Sequence, residues 1–393
     1  MSDEAGRRPE LRSTSGDCRV CGRSALEEIA GFSRFRRVTS DCRPWPSGGR
    51  LGVCRACGCV QKPDSRELAR ELALIYDGYA IYHQGGGAEQ AVFGASGQAV
   101  SRSSRLVEAL RSQVCLPPKG QLLDVGCGNG ATLRAFGATM PGWSLVGTEL
   151  DDRNRPEIES IGGVEGFFVC PVSDVPGHFD MVTMVHVLEH VPRPVALVEM
   201  AWAKLSRGGL LLIHLPDYTR NPFDLLIADH CTHFTAETAV RLIRRATGAD
   251  VTAVHDWVPK ELTVVVRAVA VLSRPQPSEA PADALGESIA QELRWLSRLA
   301  EAARSIARRG RFGLFGTSIA ATWLFAELEE AVDFFVDEDR NRVGRSFLGR
   351  PVYHPDQTPA GSQVYLVLPA VTAKAIRPRV AREGVDYHLP PQR

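Results

Sequence analysis

Between residues 100 and 270, short apolar runs alternate with stretches in which apolar residues recur every three to four positions. Gln121–Val125, Ser144–Glu149, Phe179–Val185 and Gly209–Leu215 are rich in apolar side chains and bounded by turn formers, so each reads as a buried strand. Helix-length segments such as Val195–Leu205 lie between them. Buried strands joined through helices need crossover connections, which predicts a parallel, doubly wound sheet covered on both faces. Thr252–Val258 and Glu261–Ala270 add a closing, hairpin-like pair.

The pattern changes on either side. Ser273–Ala284 is rich in Pro, Ser and Ala and marks a boundary. Beyond it Ile289, Leu293, Leu296, Leu299 and Ala303 keep a helical spacing over Leu285–Arg309. A smaller α/β pattern follows: Phe312–Phe315 as a strand, a glycine-rich turn, Ala320–Leu328 as a helix, then Val332–Val336 and Val364–Leu368 as strands. Towards the N-terminus, the polar residues up to Asp17 are expected to be disordered. Cys18 to Ser65 is loop-rich, and Arg66–Asp77 reads as an amphipathic helix, followed by Tyr76, Tyr79, Tyr82 and Gly85-Gly86-Gly87. These shifts divide the 393 residues into a tail (1–17), a cysteine-bearing unit (18–65), a helical segment (66–115), a central α/β domain (116–272), a linker with a long helix (273–310) and a C-terminal α/β domain (311–393).

Charge narrows the function. Lysine plus arginine equals aspartate plus glutamate, 46 against 46, so nothing points to a nucleic-acid or membrane-surface partner. The first residues lack the apolar stretch of a signal peptide, and Arg267 interrupts the long apolar run Val264–Leu272. A cytoplasmic protein is expected, whose ten cysteines are reduced or metal-bound rather than paired as disulfides.

Two motifs carry chemistry. Cys18-Arg-Val-Cys21 and Cys54-Arg-Ala-Cys57 repeat a CxxC spacing, each followed by a glycine (Gly22, Gly58). Two residues between cysteines let both thiolates face one tetrahedral ion, so the four are expected to hold a structural Zn2+ with no open position for a substrate. Cys59 is an alternative to Cys57. The second motif is Leu122-Leu123-Asp124-Val125-Gly126-Cys127-Gly128-Asn129-Gly130-Ala131, a strand, a glycine loop and a helix start. Its spacing also fits a dinucleotide fingerprint, and Glu149 closes the next strand as a ribose-binding acid would. Asp124 favours S-adenosylmethionine: a carboxylate there would repel a pyrophosphate and attract the cationic amino-acid group of that donor, and the downstream run favours it too.

The run Phe179-Asp180-Met181-Val182, His186-Val187-Leu188-Glu189-His190-Val191, Pro194 and Leu205-Ser206-Arg207-Gly208-Gly209 resembles the fourth- and fifth-strand pattern of class I methyltransferases. That resemblance places the donor on Asp124, Gly126, Cys127, Gly128, Gly130, Glu149, Leu150, Asp174 and His186. The whole layout resembles the nucleotide-sugar C-methyltransferases, which join a four-cysteine zinc domain, a methyl-donor domain and a C-terminal Rossmann-like domain. In that family the loop after the fifth strand carries a Glu-His pair with the histidine as base; Asp229-His230 fall on it, with Ile227-Ala228 where the family has Tyr-His. The resemblance implies that Tyr79 and Tyr82 line the sugar site, and that Asp229 orients His230 or supports its positive charge. Gly313-Leu-Phe-Gly316-Thr-Ser318 resembles the opening turn of the C-terminal domain, so Gly316, Ser318 and Arg345 are expected to contact a nucleotide-diphosphate sugar. His230 would then remove a proton beside the ketone, and the resulting enolate carbon would take the methyl group. An O-methyltransferase on the same scaffold, a dinucleotide-dependent sugar enzyme and a non-catalytic binding subunit are the alternatives.

Overall fold

The computed structural model describes residues 11–13, 16–79, 89, 91–93, 99–251, 253–268 and 283–393. At its centre is a seven-stranded sheet. Its order is Val164–Val169, Trp143–Glu149, Gly120–Val125, Phe179–Val185, Leu205–Pro216, Glu261–Arg267, Val254–His255. The first five are parallel, and the last two run antiparallel to their neighbours.

Side chains alternate between the two faces, as strand geometry requires. Leu122, Met181, Leu210 and Leu212 join one core with Leu133 and Phe136 of the helix Ala131–Thr139. Leu123, Val182, Leu211 and Ile213 join another with Val198 of Pro194–Ala203 and Leu242 of Ala236–Thr247. Burial on both faces explains why these strands read as nearly unbroken apolar runs. Chain order reverses between Gly120–Val125 and Phe179–Val185, which opens a crevice at the carboxyl edge between them.

Two features differ from the sequence reading. Val164–Val169 is an additional strand; Glu165 and Gly166 interrupt its apolar run, which an edge position tolerates. The helix expected over Val195–Leu205 spans Pro194–Ala203, and Leu205 already opens the next strand. Pro194 fits the first helical turn, where no N–H is needed.

The cysteine-bearing segment forms a second, antiparallel sheet: Leu11–Ser13, Leu26–Ile29, Gly52–Cys54, Val60–Gln61 and Thr232–His233. Its last strand comes from the loop after the fifth central strand, so this sheet is not closed within residues 18–65. Leu11–Ser13, inside the tail expected to be disordered, pairs with Leu26–Ile29. Helix Arg66–Asp77 starts at Ser65, whose hydroxyl oxygen accepts the Leu68 N–H at 3.0 Å. It buries Leu68 and Ile75.

The helix Asp283–Ala307 buries Ile289, Leu293, Leu296, Leu299 and Ala303, the stripe read from the sequence. It leads into a six-stranded sheet whose first strand, Phe312–Phe315, lies between Phe334–Val336 and Ser362–Leu366. A further core joins the cysteine-bearing segment, the loop after the fifth central strand and the C-terminal part: Phe32, Phe35 and Val38 pack with Phe223, Trp295 and Trp323. The Phe223 ring lies 5.5 Å from that of Trp295 and 5.8 Å from that of Trp323. Among the described residues no helix is long and apolar enough to cross a membrane.

Candidate active site

The glycine loop follows Gly120–Val125 directly into the crevice. Gly126, Gly128 and Gly130 have φ of 68°, 57° and 78°, the left-handed region that glycine tolerates. A Cβ on Gly126 would stand 2.8 Å from a Val187 methyl carbon. Gly130 is the N-cap of Ala131–Thr139, so the first N–H groups of that helix point toward the loop. Glu149 ends the adjacent strand. Its carboxylate accepts the N–H groups of Gly128 at 2.7 Å and Leu150 at 3.1 Å. Leu150 itself is 85% exposed at this rim, and Asp174 is exposed in the short turn Val172–Asp174.

Asp124 lies beneath the loop, beside Thr183 on the neighbouring strand. Thr183 donates to Oδ1 at 2.6 Å, while Oδ2 is buried without a hydrogen-bond partner. Burial pushes this carboxyl up to about 7. A cation or donor brought to Oδ2 would satisfy it, which is what the ammonium group of S-adenosylmethionine offers.

His186 follows the fourth strand with φ 54°. Its Nδ1 lies 3.0 Å from Glu189 and its Nε2 3.3 Å from Glu261. Against burial and the nearby Arg102, Glu261 and Glu189 hold it up at about 9. Glu261 also binds the buried His214, so His186 belongs to a charged cluster at the carboxyl edge.

Turn 186–190 meets the loop after the fifth strand. The Glu189 carbonyl accepts the N–H groups of Cys231 at 2.6 Å and Thr232 at 3.2 Å. This holds the loop of the buried His230 against the turn that carries Val187, beside Gly126 of the glycine loop. His230 Nδ1 lies 2.8 Å from Asp224 Oδ1, and His233 Nδ1 lies 2.7 Å from Asp224 Oδ2. Despite burial, the two imidazoles hold Asp224 well below the usual carboxylate range. Burial pushes His233 down to about 4, and its Nε2 is buried without a partner.

Here the structure corrects one expectation. The carboxylate hydrogen-bonded to His230 is Asp224 rather than Asp229, although His230 also helps to hold the Asp229 charge. Asp229 accepts the Ser40 N–H at 2.8 Å and lies 3.3 Å from His190 Nδ1. Despite burial, His190 holds Asp229 far below its ordinary value, and Asp229 in turn raises His190. The His190 and His230 rings meet edge to face, with centroids 4.6 Å apart. Tyr76 reaches His190 Nδ1 at 3.0 Å, and Tyr79 accepts from Ser40 Oγ at 3.2 Å. Tyr82 lies outside the described residues.

The four cysteines converge on one point. Cys18 and Cys57 sulfurs lie 3.5 Å apart, Cys21 and Cys54 sulfurs 3.6 Å, and all four within 4.8 Å of one another. Cys59 faces its own chain neighbours, Val60 and Gln61. Hydrogen bonds from Cys18, Cys54 and Cys57 hold Cys21 far below the ordinary thiol range, while Cys54 and Cys57 are driven far above it.

In the C-terminal sheet, Gly316 (φ 94°) and Ser318 open the helix Ile319–Leu328. The arginine against this turn is Arg342, not Arg345. Arg342 donates to the Thr317 carbonyl at 2.8 Å and hydroxyl at 2.7 Å, and Thr317 donates to Asp337 at 2.6 Å. Arg345 is exposed.

Residues 99–254 match a family model described as a methyltransferase domain. A ubiquinone biosynthesis O-methyltransferase of Xanthomonas campestris pv. campestris (strain B100) is 31% identical over 137 residues, covering 33% of this chain and 54% of that protein. Its counterpart in Bordetella bronchiseptica is 32% identical over 136 residues, covering 32% and 53%. The chain spans about half the length of the curated relatives it matches. Residues 99–254 form a class I S-adenosylmethionine-dependent methyltransferase domain. Among solved structures, the 1,6-didemethyltoxoflavin-N1-methyltransferase of Burkholderia thailandensis overlaps 54% of this chain and 96% of its own, at 17% identity and a TM-score of 0.38.

Several residues around the methyltransferase domain had no sequence signal of their own. Asp224 stands six residues before His230, inside the short 3-10 turn Pro222–Leu226 that only the tertiary core fixes. Ser40 reaches the site from 189 positions away in the chain. His190 stands at the centre of the polar network.

Proposed function

We propose that this protein methylates the carbon beside the ketone of a nucleotide-diphosphate keto-deoxysugar, with His230 as the base. The observation that carries this reading is the buried Asp224–His230 pair, anchored to the turn that touches the glycine loop. Asp124, Gly126, Gly128 and Glu149 would hold S-adenosylmethionine, whose role when bound is to supply an electrophilic methyl group. The orphaned Oδ2 of Asp124 and the left-handed glycine backbone fit that ligand.

His230 acts through Nε2. Its Nδ1–H donates to Asp224 Oδ1, which fixes the tautomer that leaves Nε2 free to accept a proton. Asp224, ionised at all ordinary pH values, then stabilises the imidazolium. Ser40 and Asp229 hold Tyr79 and His190 at the rim, where they would orient the sugar. Gly316, Ser318 and the exposed Arg345 would meet the nucleotide phosphates, with Arg342 bracing the turn through Thr317.

The four cysteines would hold a structural Zn2+. A tetrahedral shell with Zn–S near 2.3 Å puts sulfurs roughly 3.8 Å apart, close to the observed spacing. A bound dication would let all four thiols ionise.

A second reading has its own support. The curated relatives are named O-methyltransferases, and the same His230 would deprotonate a hydroxyl. The test is methyl transfer from S-adenosylmethionine to a panel of keto and non-keto nucleotide sugars, read by product mass. One added methyl on a keto-sugar, reduced about 10²–10⁴-fold by His230→Ala, is expected. Methylation confined to hydroxyl-bearing, non-keto acceptors would establish the O-methyl reading instead.

A further inference from the structure

The loop that carries His230 is gripped from below by cations of the cysteine-bearing segment. Lys62 is 2% exposed, and its Nζ donates to three main-chain carbonyls: Ile227, Ala228 at 2.7 Å and His230 at 2.8 Å. An ammonium has three donors, so this turn takes them all. Arg19, between two of the cysteines and 7% exposed, donates Nη1 to the carbonyls of Cys231 and, at 2.9 Å, Lys62. Its main-chain N–H is fixed by Gln61 at 2.8 Å. The backbone agrees: the Lys62 N–H donates to Cys231 at 3.0 Å, and Val60–Gln61 pairs with Thr232–His233.

Such a floor is expensive if stability is all it serves. Burial lowers Lys62 to about 8, and its direct partners are carbonyls rather than a carboxylate. An apolar floor would cover the turn at less desolvation cost. What an ammonium adds is convergence, drawing the carbonyls on both sides of Asp229 to one point and fixing the direction of the His230 Cα–Cβ bond.

We infer that Lys62, supported by Arg19, is a positioning residue for His230, so that the cysteine-bearing segment sets the height of the base above the donor site. This rests on the reading of His230 as base. Displacement of a reacting group by about 1 Å can cost about 10²-fold in rate. Lys62→Met in the full chain is therefore expected to lower kcat for methyl transfer to a nucleoside-diphosphate 4-keto-6-deoxyhexose by about 10²-fold, with KM and S-adenosylmethionine affinity changed less than about threefold. Backbone amide exchange, which needs no acceptor, should speed up at least about tenfold over residues 227–233 while residues 122–130 keep their protection.

Equal loosening of both segments, or loss of donor binding in step with kcat, would reduce Lys62 to a general stabiliser and overturn the proposal. Unchanged exchange over 227–233 would overturn it as well. Should Lys62→Met fail to fold, Lys62→Gln retains two donors and is expected to give a smaller loss in the same segment. His230→Ala separates the two levels: an active His230→Ala removes the base reading. An inactive one beside a fully active Lys62→Met removes only the positioning role.

Discussion

Asp124 is a single side chain held at a cost to stability, which its proposed role toward S-adenosylmethionine would account for. Its folded pKa, near 7, lies above the ordinary carboxylate value of 3.8. The folded state therefore binds its proton more tightly than the unfolded chain, and the associated stability is present below pH 4 and lost as pH rises toward 7. Asp124→Asn should accordingly melt higher than the wild type at pH 8, by up to a few kcal/mol, with little difference at pH 4. The same variant should bind S-adenosylmethionine more weakly. In the wild type, donor affinity should rise roughly tenfold per pH unit up to about 7 and then level off, since the carboxylate is the form that meets the cation. Calorimetric titrations at pH 6 and pH 8 check this; equal affinities, or a lower melting point for the variant at pH 8, would remove Asp124 from the donor site. Asp124 was legible in the sequence because its neighbours are glycines at fixed spacing. Asp224 was not, because a carboxylate in an apolar, proline-led turn looks like any helix-start acid until the fold brings His230 and His233 around it.

At the scale of elements, local signals were sound wherever local sequence decides the outcome. The strands Gly120–Val125 and Phe179–Val185 were visible because burial on both faces makes them unbroken apolar runs, and the stripe Ile289–Ala303 because burial on one face imposes a period of 3.6. The edge strand Val164–Val169 escaped notice, since its pairing, not its composition, makes it a strand. The glycine loop is the element on which donor binding turns. Gly126→Ala would force a Cβ into a left-handed backbone and onto the Val187 methyl 2.8 Å away. Donor affinity should fall about tenfold or more while far-ultraviolet dichroism stays unchanged. An alanine variant with full affinity would mean that Val187 yields and that the loop tolerates a side chain.

Over the whole molecule, the cysteine cluster and the central core act as two anchors. Purified protein is expected to contain about one zinc per chain, and removing it with a chelator should lower the melting point and methyl-transfer activity together. Metal-free protein with an unchanged melting point would deny the cluster its structural role. The convergence of the four cysteines could be read from spacing alone, but the partner of their sheet could not, because no local pattern reports contacts 165 residues apart. That separation also sets an order of assembly. During synthesis the edge Val60–Gln61 leaves the ribosome long before Thr232–His233 exists to pair with it. It must wait, exposed, through the making of the entire parallel sheet. Thr232–His233 is made only after the five parallel strands, so a product stalled before it would carry those strands without the one that completes the cysteine-bearing sheet.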